Sequence, residues 1–349
     1  MSEWMIYGAN GYTGQLVLAE AVKRGHHPVV AGRNGDAVRA LAKQYDLPAR
    51  VFDLADVKTA TSALSGMDLV LHCAGPFSAT AAPMLEACLA HGTHYLDITG
   101  EIDVFAHCHA QDARAKEHDI VVLPGAGFDV VPTDCLAALL KRELPDANEL
   151  VLAFEAGGGP SPGTAKTSVE GLAKGCRVRR DGVMTTVPLA YKDRTFSKDG
   201  APRTAMTIPW GDVYTSYLST GIPNVEVYMA VPPKTIESVR RMRLFKPFLG
   251  FGFVQDMLKK RTPQRGPSDD KRANTRSHIW GEVRNAAGRE AKMELDTPNG
   301  YDITVTASLG IVEHVLKVKP AGGYYTPSML MGADYVLGLP GVQLTKTAA

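Results

Sequence analysis

A chain of 349 residues, 45% hydrophobic and 21% charged, can bury one large core or two modest ones, so two domains are expected. A net charge of +1 argues against a general affinity for nucleic acid. The five cysteines (Cys73, Cys88, Cys108, Cys135, Cys176) form no CxxC pair, Trp4 opens a strand with no basic-then-apolar leader, and no run of 18 apolar residues occurs; a cytoplasmic chain with reduced thiols and no spanning helix is expected.

The run Trp4–Tyr7 reads as a buried strand and Thr13–Lys23 as a helix with Leu16, Ala19 and Val22 on one face. Further strands are expected at Pro28–Ala31, Arg50–Asp53, Leu69–Cys73, Tyr95–Ile98 and Ile120–Leu123, alternating with helices at Ala37–Gln44, Val57–Leu64, Ala81–His91 and Val104–Lys116. Such alternation means βαβ units, and right-handed crossovers build them into a doubly wound parallel sheet of Rossmann type over residues 1–145. After Leu144-Pro145 the rhythm changes. Strand-like runs at Leu150–Glu155, Val183–Leu189 and Val225–Ala230, set among Gly/Pro/Thr-rich loops, predict a second α/β domain with a mixed or antiparallel sheet over 146–325. Residues 234–272 hold eleven Lys/Arg against four acids around the apolar centre "RMRLFKPFLGFGFVQDMLKK". From Ile279 the strand pattern returns in "HIWGEVRN", "AKMELDT" and "YDITVTASL", with turn chemistry in "PNGY". Thr304–Val318 and "TPSMLMGADYVLGLPG" read as helices.

The chemistry collects at the ends of the early strands. Gly8, Gly11 and Gly14 sit three apart between the first strand and helix, where glycines admit a dinucleotide pyrophosphate to backbone N–H groups and a helix N-terminus. Asn10, Tyr12 and Thr13 complete that turn. The second strand ends "VVAGRNGDA", with Arg33 where an NAD-preferring chain places an acid; a guanidinium suits the 2′-phosphate of NADP, the alternative being a solvated surface arginine. In "VFDLAD", Asp53 and Leu54 suit an adenine clamp, or Asp53 caps the next helix. "LHCAGPF" offers Ala74, Gly75, Pro76 and Phe77 to the cofactor's ribose and nicotinamide. "HYLDITGE" sets Asp97 and Glu101 at the same edge, as an acid–base pair, as ribose ligands, or with Asp97 or Thr99 as a helix cap. In "PGAGFDVVPTD", Phe128 either lies on the nicotinamide or plugs an interface, with Asp129 beside it. The loop "AGGGPSPGTAKTS" offers Thr164, Lys166, Thr167 and Ser168 as substrate-pocket donors, or is simply flexible.

No Tyr is followed four residues later by Lys, so the Tyr-Lys pair of short-chain dehydrogenases is missing, and no HExxH occurs. His107 and His109 fall on different faces of their helix and no metal is expected. The basic, aromatic stretch at 240–262 suits a membrane surface, an acyl-chain mouth or a homodimer contact, although Pro247, Gly250 and Gly252 break any long helix there.

Together "YGANGYTG", "VVAGR", "CAGPF", "HYLDITGE", "GAGFDVVPTD", "GGGPSPGTAKTS", "GPSDDKR", "WGEVRN", "TPNGYDIT" and "YYTPSMLMGADYVLGLPG" resemble the saccharopine dehydrogenase-like oxidoreductases, in particular the branch of trans-acting enoyl reductases of lipid and polyketide assembly. The resemblance implies a Rossmann domain, a second α/β domain, a C-terminal helix (326–349) returning to the first domain, and NADP(H) as cofactor. It does not imply one established substrate; the reading adopted is an NADP(H)-dependent reductase of an enoyl acyl or polyketide thioester, with an acyl carrier or polyketide synthase as the candidate partner. Asp97, Glu101, Lys166 and Tyr325 are the catalytic candidates, and Thr164 and Ser168, like Phe128 and Asp129, are candidates for contacting substrate. A saccharopine-type reaction on an amino-acid imine and a non-catalytic NADP sensor or lipid-associated protein are the alternatives.

Overall fold

The computed structural model describes residues 3–157, 159, 175–243, 251, 257 and 266–347. Its early strands are short apolar runs: β1 (Trp4–Tyr7), β2 (Val29–Gly32), β3 (Ala49–Val51), β4 (Leu69–His72), β5 (His94–Asp97) and β6 (Val121–Leu123). β1, β2, β4 and β6 are buried at every position, as strands covered on both faces must be. Between them lie helices α1 (Tyr12–Lys23), α2 (Gly35–Tyr45), α3 (Val57–Ala63), α4 (Phe77–His91), α5 (Ile102–Ala110) and α6 (Asp112–Glu117), followed by α7 (Val131–Glu143). Asn34 caps α2 by accepting the Ala37 amide at 3.1 Å, and Asp56 caps α3 by accepting that of Thr59 at 3.2 Å. Two boundaries differ from expectation. The single helix expected over Val104–Lys116 is broken at Gln111. Helix α4 starts at Phe77, four residues before Ala81, because a distant carboxylate (Glu101, below) takes its first amides.

The second half is built from β7 (Ala147–Glu155), β8 (Cys176–Arg180), β9 (Val183–Val187), β10 (Asp193–Lys198), β11 (Ala201–Thr207), α8 (Asp212–Thr220), β12 (Asn224–Ala230), α9 (Pro233–Met242), α10 (Asp269–Ala273), β13 (Arg276–Asn285) and β14 (Glu290–Pro298). Here β8, β10, β11 and α8 were not expected. Two Asp-Gly turns make the hairpins β8–β9 and β10–β11: Asp181 and Gly182 have φ of 48° and 77°, Asp199 and Gly200 of 51° and 75°, as two-residue hairpin turns require.

The chain ends through α11 (Gly300–Val318), β15 (Gly323–Tyr324), α12 (Pro327–Met331), a 3₁₀ turn over Ala333–Gly338 and β16 (Gln343–Thr347). "YDITVTASL" is therefore helical. Ile303, Thr304, Val305, Ala307, Ser308 and Leu309 are buried in α11, and packing of that face overrides the β-branched preference for strand. The late helix expected over "TPSMLMGADYVLGLPG" is interrupted at Gly332, whose φ of 82° no continuing helix adopts.

Two compact units result, Met1–Val131 with Tyr301–Met331, and Pro132–Gly300 with Gly332–Ala349. The division thus falls at Val131/Pro132 rather than at 145. The segment rejoining the first unit is 301–331 rather than a 326–349 helix, because β16 pairs with β14 in the second sheet. The first sheet has the order β15-β6-β5-β4-β1-β2-β3 and is parallel throughout, with Met5 level with Val29 on one side and Val70 on the other. It is the doubly wound sheet that the alternating pattern predicts, carrying β15 as an added edge. The second sheet, ordered β10-β11-β12-β7-β13-β14-β16 with β8 and β9 attached at β12, is mixed: β12 and β7 run parallel and the other pairs antiparallel. Helix α7 presses on it so closely that a Cβ at Gly281 would lie 2.5 Å from Leu140. Among the described residues no helix is long and apolar enough to cross a membrane.

Candidate active site

The turn after β1 is shaped by its glycines. Gly8 has φ 83°, and a Cβ there would lie 2.8 Å from Ala74. Gly11 is the N-cap of α1, donates its amide to the Gly8 carbonyl at 2.9 Å, and leaves the helix without a side-chain cap. A Cβ on Gly14 would meet the Gly8 oxygen at 2.3 Å, so α1 rests directly on the turn. The Asn10 side chain lies against Gly32 and its carbonyl accepts Gln15 Nε2 at 2.9 Å. These approaches, which any larger residue would block, form the cradle a dinucleotide pyrophosphate requires, with Tyr12 and Thr13 opening α1 directly after it.

Arg33 follows β2, is exposed, and makes no hydrogen bond or ion pair with a described residue. Its charge and that of Asp53 both reach the Tyr7 phenol, which burial, and then Asp53, push up to about 12. The Tyr7 hydroxyl donates to the Phe52 carbonyl at 3.1 Å, which fixes the loop carrying Asp53 and Leu54. Leu54 is buried. Asp53 is exposed and accepts the Ala55 amide at 3.0 Å, while Asp56 caps α3, so Asp53 is not that helix's cap.

After β4, Ala74 lies against Gly8 and is tied by Thr80, whose hydroxyl donates to the Ala74 carbonyl at 2.6 Å. With that proton committed, His72 Nε2 is the donor in its 3.0 Å contact with Thr80 Oγ1. Burial pulls His72 down to about 3, so the ring stays neutral, and its buried Nδ1 has no partner among the described residues. Neither His72 nor Thr80 stood out in the sequence; both act through a turn defined only by the fold. Gly75 joins Pro76 through a cis peptide bond and Phe77 opens α4.

Asp97 and Glu101 both accept backbone amides of neighbouring segments. Asp97 is fully buried and accepts the Tyr95 hydroxyl at 2.6 Å and the amides of Thr99 and Gly125 at 2.9 Å each, binding the loops after β5 and β6 together. Burial pushes it up to about 6, against those three hydrogen bonds. Glu101 accepts the Phe77 and Ser78 amides, both at 2.9 Å, and so caps α4. Neither Asp97 nor Thr99 caps α5, whose N-cap is Glu101 itself.

The loop after β6 carries a third carboxylate, Asp129. Gly125 and Ala126 donate to Asp97, Phe128 donates its amide to Thr304 Oγ1 at 3.0 Å, and Val131 donates to the Gly127 carbonyl at 2.9 Å. Inside this fixed turn Asp129 is partly exposed and makes no hydrogen bond or ion pair with a described residue. It lies beside Gly100, where a Cβ would be 3.1 Å from its Oδ2, and burial alone pushes it up to about 7. Phe128 is buried. Tyr325 follows β15 at the same sheet edge, but its hydroxyl turns back to the Ala321 carbonyl at 3.0 Å. Thr164, Lys166, Thr167 and Ser168, and most of 240–262, lie outside the described residues. Among the described residues no three His, Cys, Asp or Glu side chains converge as metal ligands.

The fold thus brings the glycine turn, Arg33, Asp53-Leu54, Ala74–Phe77, Asp97–Glu101 and Phe128-Asp129 to the carboxyl ends of adjacent parallel strands. Known proteins agree with this geometry. Residues 4–123 match the saccharopine dehydrogenase NADP binding domain. A trans-acting enoyl reductase of Mycobacterium ulcerans is 29% identical over 146 residues, 38% of this chain and 34% of that protein. A saccharopine dehydrogenase-like oxidoreductase of mouse is 27% identical over 150 residues, 37% of this chain and 35% of that protein. The matches therefore span about a third of the length of these relatives. The fold is shared with the apo saccharopine dehydrogenase (L-Glu forming) of Saccharomyces cerevisiae over the whole of both chains, with a TM-score of 0.69 at 13% identity. Residues 4–123 thus match a saccharopine dehydrogenase NADP binding domain, and part of the chain is similar to saccharopine dehydrogenase-like oxidoreductases.

Proposed function

We propose that this chain is an NADP(H)-dependent reductase that saturates the C=C bond of an enoyl acyl or polyketide thioester, with Asp129 as the proton-carrying group. The observation that carries the reading is Asp129: a carboxyl without a protein partner among the described residues, at the cofactor edge, pushed up to about 7. A carboxyl so placed holds a proton near neutral pH and can release it in a transition state. Trans-acting enoyl reductases among the relatives support the choice of substrate class.

The residues present fit the cofactor. The Gly8–Gly14 turn would take the pyrophosphate, Arg33 the 2′-phosphate, Leu54 and Asp53 the adenine side, and the Ala74–Phe77 turn the ribose and nicotinamide. The chemistry NADPH would supply when held there is hydride donation to the β-carbon of the thioester. Asp129 then delivers its proton to the α-carbon and recovers one from solvent, to which it is partly open. Asp97 and Glu101 hold the neighbouring loops rather than exchanging protons with substrate. Coenzyme A or a carrier protein is the partner this reading implies.

The test is NADPH consumption with short 2-enoyl-CoA thioesters, beside a 2-oxo acid plus a primary amine as the imine alternative. Turnover of the thioester that falls about 100-fold in Asp129→Asn, with NADPH affinity retained, supports the reading. Turnover of the imine pair alone assigns the C–N reaction instead. NADPH binding with no turnover of either refutes catalysis on these substrates and favours the sensor alternative.

A further inference from the structure

Helix α11 begins some 170 residues after the turn that carries Asp129, yet its first turn is packed into that region. Thr304 Oγ1 accepts the Phe128 amide at 3.0 Å. Its γ-methyl stands 2.8 Å from where a Cβ on Gly127 would be, so methyl and hydroxyl grip consecutive residues. One turn earlier Tyr301 meets Tyr12 edge-on, with ring centroids 5.0 Å apart. Tyr12 is the residue after the N-cap of α1. A single helical turn therefore touches both the dinucleotide cradle and the Asp129 turn, within the first unit.

We infer that Thr304 is a positioning residue for Asp129, holding the 127–129 turn so that the carboxyl stays beside Gly100 and partly withdrawn from water. Asp97 secures Gly125 and Ala126 farther back in the loop, and the Gly127 carbonyl accepts the Val130 and Val131 amides, closing the turn on the far side of Asp129. The amide immediately before Asp129 is held by Thr304. The acids nearest in the loops, Asp97 and Glu101, are engaged with backbone amides, so the environment of Asp129 is set by where its turn sits. Loosening that turn by about 1 Å is enough to cost roughly 10- to 100-fold in a catalysed step.

This inference rests on the reading of Asp129 as proton carrier, and its test is independent of turnover. The protonated Asp129 carboxyl is followed by infrared difference spectroscopy across pH, its carbonyl band assigned by loss in Asp129→Asn. Thr304→Val keeps the methyl group and removes the acceptor. It is expected to lower the Asp129 midpoint toward that of an ordinary carboxylate and to reduce kcat with enoyl thioester, leaving the Kd for NADPH unchanged. Thr304→Ser restores the acceptor and the wild-type midpoint. Should the valine variant not fold, Thr304→Ala against Thr304→Ser isolates the same hydroxyl. An Asp129 midpoint unmoved by loss of the hydroxyl overturns the inference. A midpoint that moves as expected, in a protein where Asp129→Asn reduces thioesters at the wild-type rate, overturns the proton-carrier reading and leaves the positioning role standing.

Discussion

Asp129→Asn should stabilise the protein, and do so only at pH values where the carboxyl of the unfolded chain is ionised. Burial raises Asp129 from 3.8 to about 7. At about 1.36 kcal/mol per unit the shift of about 3 units sets a ceiling near 4 kcal/mol. The side chain is partly exposed, so solvent screens part of that penalty and about 2 kcal/mol is the expected value. The sign follows from linkage. Below 3.8 the carboxyl is neutral in both folded and unfolded chains and costs nothing. Between 3.8 and about 7 the folded chain keeps a proton that the unfolded chain has released, so stability falls as pH rises through this window. Above it the full penalty is present. Asparagine matches the shape of the neutral acid and never ionises, so the variant should exceed wild type by about 2 kcal/mol near pH 8, with the gap closing toward about pH 4. Urea denaturation of both proteins at the two pH values measures it. A gap of equal size at both, or an asparagine variant that is the less stable near pH 8, would refute the argument that Asp129 is an unpaired, desolvated carboxyl.

Arg33→Ala should weaken NADPH binding by about 10- to 100-fold, the loss of a charge-assisted contact of about 1.5–3 kcal/mol, and leave NADH binding unchanged; fluorescence titration with both nucleotides checks it. Gly14→Ala should destabilise the first unit by about 2–3 kcal/mol, because its methyl would stand 2.3 Å from the Gly8 oxygen; thermal unfolding reads this out. Glu101→Gln should lower stability by about 1–2 kcal/mol, through the loss of a charged acceptor for the Phe77 and Ser78 amides. Increased hydrogen exchange confined to the start of α4 is the signature expected of that variant.

The first sheet was legible because its strands are apolar runs and its turns carry glycines whose spacing is set locally. The cradle residues belong to that local grammar. What stayed hidden depends on distant partners. Glu101 caps a helix that begins 24 residues earlier, and no pattern around either segment announces it. "YDITVTASL" contains strand-forming residues that burial on both sides of α11 makes helical. The hairpins at Asp181-Gly182 and Asp199-Gly200 are a different case. Their turn signals were present, but the flanking strands "CRVRR" and "DRTFSK" are too charged to show clear alternation. Asp129 was visible as a candidate beside Phe128; that it lacks a partner among the described residues while Asp97 has three could be learned only from the packed loops.

The return of residues 301–331 to the first unit bears on how this chain comes into being. Strand β6 forms the outer edge of the parallel sheet until β15 pairs with it, and the Phe128 amide has no Thr304 until α11 exists. Residues 301–331 must therefore leave the ribosome before the nucleotide-binding unit can close. Until then the nascent protein presents an open sheet edge on which another chain can pair. Cofactor binding to nascent chains should accordingly lag behind the synthesis of the glycine turn until residues 301–331 have emerged.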